Sequence, residues 1–118
     1  MLYNKTKQAV ILKKLRVAST FAERFLGLLP CKNMAPEEGL LIRDCSSIHT
    51  IFMRFAIDCI FLDENLKVVK IRKNVTPHKL AFGKLPGTRH VLEVAAQRAV
   101  PLDLDLNDIL EIQERKEI

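Results

Sequence analysis

The chain has 118 residues and a formal net charge of +5, with 48% hydrophobic and 28% charged residues. That length fits one domain spanning 1–118, since two would each approach the size at which a core alone becomes marginal, and the composition excludes collagen-like, low-complexity and disordered classes. With no Trp, one Tyr and six Phe, little material is left for an aromatic platform that stacks single-stranded nucleic acid.

The positive charge is not spread evenly. Residues 1–16 sum to +5 and residues 65–100 to +7, whereas 17–64 and 101–118 sum to −3 and −4. Residues 1–7 read as a flexible basic arm ahead of the first strand, and terminal charge of this kind is ordinarily a solvated face. The second block, from Lys67 through Lys70, Arg72, Lys73, Lys79 and Lys84 to Arg89, is the other place where phosphate or an anionic membrane surface could be met. The first residues lack the apolar stretch of a signal peptide, and no run approaches the roughly 20 apolar residues of a membrane span. Cys31, Cys45 and Cys59 are odd in number and form no CxxC, which suits a reducing compartment. The expectation is a cytoplasmic chain with three free thiols.

Along the chain, Ala9 to Val17 is a β-branched and Leu-rich run that predicts a first strand. Thr20 and Glu23 then stand three apart ahead of Phe21, Phe25 and Leu28, the pattern in which a hydroxyl and a carboxylate satisfy the free donors of a helix start; a helix is predicted over 20–29, ending at Gly27 and Pro30. Apolar runs predict strands at 39–43 and 56–63, with Asp63-Glu64-Asn65 as a turn into a partner strand at 66–73. Residues 47–55 are ambiguous in period, and 77–87, with two prolines and two glycines, read as a loop. Strands at 89–95 and 108–113 complete the set. About six strands with one early helix and no βαβ rhythm predict a mainly β, mostly antiparallel sandwich or barrel.

Four segments in this order resemble the DUF192 family, small bacterial and archaeal proteins of unassigned biochemical role. They are Arg24-Phe25-Leu26-Gly27-Leu28-Leu29, Ile48-His49-Thr50-Ile51-Phe52-Met53, Ile57-Asp58-Cys59-Ile60-Phe61-Leu62-Asp63 and Val91-Leu92-Glu93-Val94-Ala95, and the likeness runs from about residue 8 to 113. It implies a compact β-sandwich of jelly-roll character and brings no catalytic mechanism with it. Leu29, Gln97 and Asn107 depart from the family pattern, which has Met at the first position and Gly at the other two. Gln resists the positive φ that Gly allows, and Asn accommodates it only in part.

Few residues could carry chemistry. Asp58 lies in a run apolar on both faces, where an ionised carboxylate is costly unless bonded. It reads as an acceptor for backbone N–H groups of a neighbouring loop, as an ion-pair partner for Arg24 or Arg54, or as a catalytic acid. Glu93 is in phase with Val91 and Ala95, which allows an exposed face, a pocket lining or a pairing with Arg24, Arg43 or His90. Cys45, His49 and Met53 are spaced by four and would share a face on either a helix or a strand, yet a closed metal site takes a fuller ligand set than these provide. A nucleophile pair of Cys45 or Cys59 with His49 is another use, although a buried thiol is usually inert; the plainer one is that His49 and Thr50 satisfy local backbone groups while Phe52 and Met53 fill the core. No Gly-rich phosphate loop, G-x-S-x-G, H-E-x-x-H or EF-hand pattern occurs, so neither a metal nor a cofactor is expected.

The expected site is a polar pocket formed by Arg24, His49, Thr50, Asp58 and Glu93, in a small binding or accessory module with a small ligand or a protein as partner. The alternatives are a small hydrolase using His49 or the Asp58 and Glu93 acids, and a nucleic-acid or membrane-surface binder using the basic blocks.

Overall fold

The computed structural model describes residues 1–26, 33–45, 47–49, 53–77, 80–82 and 87–113. Among these residues, chain order gives β1 (Leu2–Asn4), β2 (Ala9–Leu12), β3 (Lys14–Ala18), α1 (Phe21–Leu26), β4 (Glu38–Ile42), β5 (Ser47–His49), β6 (Ile57–Leu62), β7 (Val68–Val75), β8 (Leu80–Phe82), β9 (His90–Ala95) and β10 (Leu110–Ile112).

The most continuously apolar runs become the inner strands of one sheet. Its order is β3-β4-β9-β6-β7, with a second sheet β10-β1-β2 and a ribbon β5-β8. All six residues of β6 are buried, as are five of six in β9, because an inner strand covered on both faces has no solvated side on which to place polar residues. The pairing is antiparallel except between β3 and β4, where α1 and the segment after it form the crossover a parallel pair requires. β3 and β7 are the two edges, so the sheet is open and the fold is a sandwich, not a closed barrel.

The Ile60 face of this sheet carries Leu41, Ile60, Leu62, Leu92 and Val94, which pack with Leu2, Ile11, Leu12 and Leu110 of the smaller sheet. Gly39 permits this approach, since a Cβ there would overlap the Leu12 side chain. The opposite, Cys59 face carries Leu40, Ile42, Cys59, Phe61 and Val91, with Met53 buried on it and Met34, Cys45 and Phe55 packed against it. Each large side chain so buried stabilises the fold by about 1.5–3 kcal/mol relative to exposure.

Local chemistry follows the sequence closely in places. Thr20 Oγ1 accepts from Glu23 N at 3.1 Å while Glu23 Oε1 accepts from Thr20 N at 3.0 Å, the reciprocal cap expected of α1. Residues 27–29 of the expected helix lie outside the described residues. Asp63 Oδ1 accepts from Asn65 N and Lys67 N, closing the turn between β6 and β7. Gln97 and Asn107 have φ of 67° and 73°, the left-handed conformation that Gly would adopt without strain.

Three expectations are corrected. Residues 1–7 are not a flexible arm: Leu2 to Asn4 pair with both β2 and β10, and Leu2 and Asn4 are each 1% exposed. Lys7 Nζ reaches Asp105 Oδ2 at 2.5 Å and Asp108 Oδ2 at 3.2 Å, which raises the pKa of the Lys7 ammonium; its acids lie about a hundred positions away, so local composition could not reveal them. The strand expected at 9–17 is two strands that part at Lys13 and enter different sheets. The segments read as ambiguous or as loop contain β5 and β8, each only three residues long, too short for alternation to register.

Candidate functional site

Each expected site residue has a definite place except Thr50, which lies outside the described residues. Arg24 is in the last turn of α1 and its Nη1 donates at 3.4 Å to the carbonyls of Arg43 and Asp44, tying the helix to the turn after β4. His49 is in β5, paired with Leu80. Cys45 and Met53, which bracket β5, both pack on the Cys59 face, so the segment bearing His49 and Thr50 begins and ends on that side of the large sheet.

Asp58 and Glu93 do not meet. In the ladder of β6 and β9, Cys59 is opposite Glu93 while Asp58 is opposite Val94. Successive residues of a strand point to opposite faces, which puts Glu93 on the Cys59 face and Asp58 on the Ile60 face. A central sheet therefore separates the two acids, and they cannot act as a pair on one substrate.

Asp58 is fully buried and satisfied. Its Oδ1 accepts from Asn74 N at 2.8 Å and its Oδ2 from Ala99 N at 2.9 Å. Asn74 sits at φ 53° where the register of β7 shifts against β6, so one carboxylate holds a bulge in the edge strand and the turn after β9. Of the readings of Asp58, this geometry is that of the backbone acceptor.

Glu93 is 3% exposed, and among the described residues its buried Oε2 has no hydrogen-bond partner. Burial pushes its pKa up to about 8, so near neutrality the group is largely a carboxylic acid that can both donate and accept. Its neighbours in register are Leu40 on one side and Cys59 on the other. The Cys59 thiol is raised well above its ordinary range, first by burial and then by Glu93 and Asp58, which makes it a poor nucleophile. Beyond these neighbours the same row continues to Arg16 on β3 and Arg72 on β7, each two strands, or roughly 10 Å, from Glu93.

The basic blocks do not form one patch. Lys70 and Arg72 share the Cys59 face with Arg16, but at the far edge, four strand spacings or roughly 19 Å away. Lys70 Nζ lies 5.6 Å from the Phe61 ring centroid. Lys79 and Lys84 lie outside the described residues.

The sequence reads His90 as a surface residue beside the loop at 77–87, and the structure corrects this. His90 is 7% exposed, and its Nδ1 accepts from Asp44 N at 3.0 Å; burial, then Arg43, lowers its pKa, so it is a neutral ring fixing the turn that also holds Arg24. The adjacent Arg89 Nε pairs with Asp44 Oδ1 at 2.8 Å. No sequence signal marks this, because the three residues come from separate segments.

The model of a family described as uncharacterized ACR, DUF192, matches residues 2–112. The chain belongs to the DUF192 family. It is 32% identical to a UPF0127 protein of Thermococcus sibiricus over 99% of this chain and 77% of that one, and 33% identical to a UPF0127 protein of Pyrococcus furiosus over 92% and 94%. A crystal structure of a protein of unknown function from Novosphingobium aromaticivorans superposes with a TM-score of 0.81 at 23% identity, covering 94% of this chain and 82% of that one. A second, from Sinorhizobium meliloti and named only provisionally as a transcription regulator, gives 0.82 at 22% identity over 93% and 88%. The two solved structures show the fold alone. Among the described residues, no helix is long and apolar enough to cross a membrane.

Proposed function

We propose that this DUF192 protein is a small binding or accessory module whose ligand meets Glu93 on the Cys59 face of the central sheet. The observation that carries this reading is the buried Glu93 oxygen with no hydrogen-bond partner among the described residues. Native folds leave few such groups unsatisfied, since each costs about 1–3 kcal/mol, and an acid kept at that cost is accounted for if a ligand supplies the missing bond. The ligand presents a hydrogen-bond donor or a positively charged nitrogen to Glu93, because a carboxyl in a dry site gains most from that partner. In this reading Arg24 and β5, whose flanking Cys45 and Met53 pack on the Cys59 face, border the ligand with Glu93, and Thr50 lies outside the described residues. Asp58 is left out of it, for both of its oxygens are already occupied.

A thermal-shift screen of amines, amides, nucleobases and short peptides tests the proposal, since a ligand that binds only the folded state raises its stability. At least one class should raise the melting temperature of the wild-type protein and leave Glu93→Leu unmoved. A ligand response that survives in Glu93→Leu overturns the role given to Glu93.

A further inference from the structure

A cavity of about 490 Å3 lies over β3 and its neighbour β4, lined among others by Lys14, Arg16, Met34, Glu38 and Leu40. Among the described residues, the other side of β3 has no partner strand. Lys14 N donates to Glu37 O, and Ala18 O accepts from Arg43 N, which fixes the phase of the parallel ladder: Lys14, Arg16 and Ala18 turn their amides and carbonyls toward β4. The intervening Leu15 and Val17 therefore turn theirs outward, and no described residue bonds to them. The side chains of β3 sort the same way, by face. Lys14 and Arg16 are exposed on the Cys59 face, while Leu15 and Val17 are half-buried against the core of the Ile60 face.

We infer that the outer edge of β3 receives an extended acidic peptide as a sixth strand of the sheet. Two outward-facing residues supply donors and acceptors at the spacing of a strand, so an extended backbone is the partner that uses them. The side chains then specify its pattern: acidic residues opposite Lys14 and Arg16 alternate with apolar ones beside Leu15 and Val17. A second copy of this chain is disfavoured, because antiparallel pairing of two β3 strands brings their cations together, the device by which natural edges avoid self-association. Single-stranded nucleic acid would find the charge but, among the described residues, no aromatic side chain in the cavity lining on which to stack. This edge is separate from Glu93, and the inference stands without the proposed ligand site.

The test uses the full chain and a dye-labelled peptide of alternating glutamate and valine, read by fluorescence anisotropy. Three competitors accompany it: the same peptide N-methylated at alternate amides, a peptide of equal composition with its glutamates in one block, and an oligothymidylate. The alternating peptide should bind about tenfold more tightly than each of them. Arg16→Glu should weaken it by a similar factor, and Glu93→Gln should leave it unchanged. Val17→Pro removes an outward donor without touching the ladder to β4 and should weaken binding as Arg16→Glu does; if this variant fails to fold, the N-methylated peptide makes the same test from the other side. Equal binding of the N-methylated or blocked peptide, tighter binding of the oligothymidylate, concentration-dependent dimerisation in place of peptide binding, or no binding of the alternating peptide would each overturn the inference.

Discussion

The two faces of the central sheet each bury one acid and treat it in opposite ways. On the Ile60 face, Asp58 accepts two backbone N–H groups and fastens a bulge and a turn. On the Cys59 face, one strand away, Glu93 is buried beside Leu40 and Cys59 with an oxygen unpartnered among the described residues. The difference shows that burial alone does not decide whether an acid is hydrogen-bonded. Asp58, bonded through both oxygens, holds the fold together, and a buried carboxyl oxygen without a partner destabilises it.

The largest effect expected from this contrast is at Asp58. Asp58→Ala leaves the N–H groups of Asn74 and Ala99 without their acceptor in a dry interior and should lower unfolding free energy by about 3 to 5 kcal/mol, measured by urea denaturation. Asp58→Asn retains one good acceptor and should cost less. A midpoint unmoved in both variants would mean that water replaces the carboxylate there, and the distinction between the faces would fail.

Glu93 should instead reveal itself through pH. Its folded pKa, about 8, is raised above the ordinary carboxylate value, so the folded state holds the extra proton between about pH 4.5 and 8. Stability is then fully present below that window and is lost as pH rises through the folded pKa, by about 3 kcal/mol between pH 5 and 8. His90 is lowered and works in the other direction below about pH 6.5, so the measured quantity is the difference between wild type and Glu93→Gln. A flat difference over this window would show that Glu93 is ionised and paired.

Glu93→Leu removes the unsatisfied group and should raise stability at pH 7 by about 1 to 3 kcal/mol while abolishing any ligand response. A loss of stability on this substitution would give Glu93 a structural role like that of Asp58 and erase the contrast.

Much of this was legible in the chain, and what was hidden was long-range. The cost of a carboxylate between Ile57 and Cys59 is a local fact, as is the phase of Glu93 with Val91, and both acids are buried. That they face apart depends on Cys59 being opposite Glu93 across β6 and β9, a register set by pairing between residues more than thirty positions apart. The N-terminal lysines misled for the same reason: Lys7 looked solvated because its partners Asp105 and Asp108 lie at the other end of the sequence. Lys13 did signal a break in the apolar run at 9–17, but not that the chain changes sheets there.

The smallest predicted effect tests how tightly the saturated side is held. Gln97 lies two residues before Ala99, the N–H that Asp58 accepts, and its φ of 67° carries a steric cost that Gly would avoid. Gln97→Gly should therefore stabilise the protein by about 0.5 to 1 kcal/mol, the relief of strain being partly offset by the greater freedom of Gly in the unfolded chain. Asn107→Gly, at φ 73°, should gain less, because Asn adopts this conformation more readily than Gln. If Asp58 is what holds the turn in its strained form, the gain at Gln97 should shrink in an Asp58→Ala background, where the turn can relax without the substitution. Additive effects in that double-mutant cycle would show that the turn keeps its shape independently of the carboxylate, and Asp58 would then be an anchor for β7 alone.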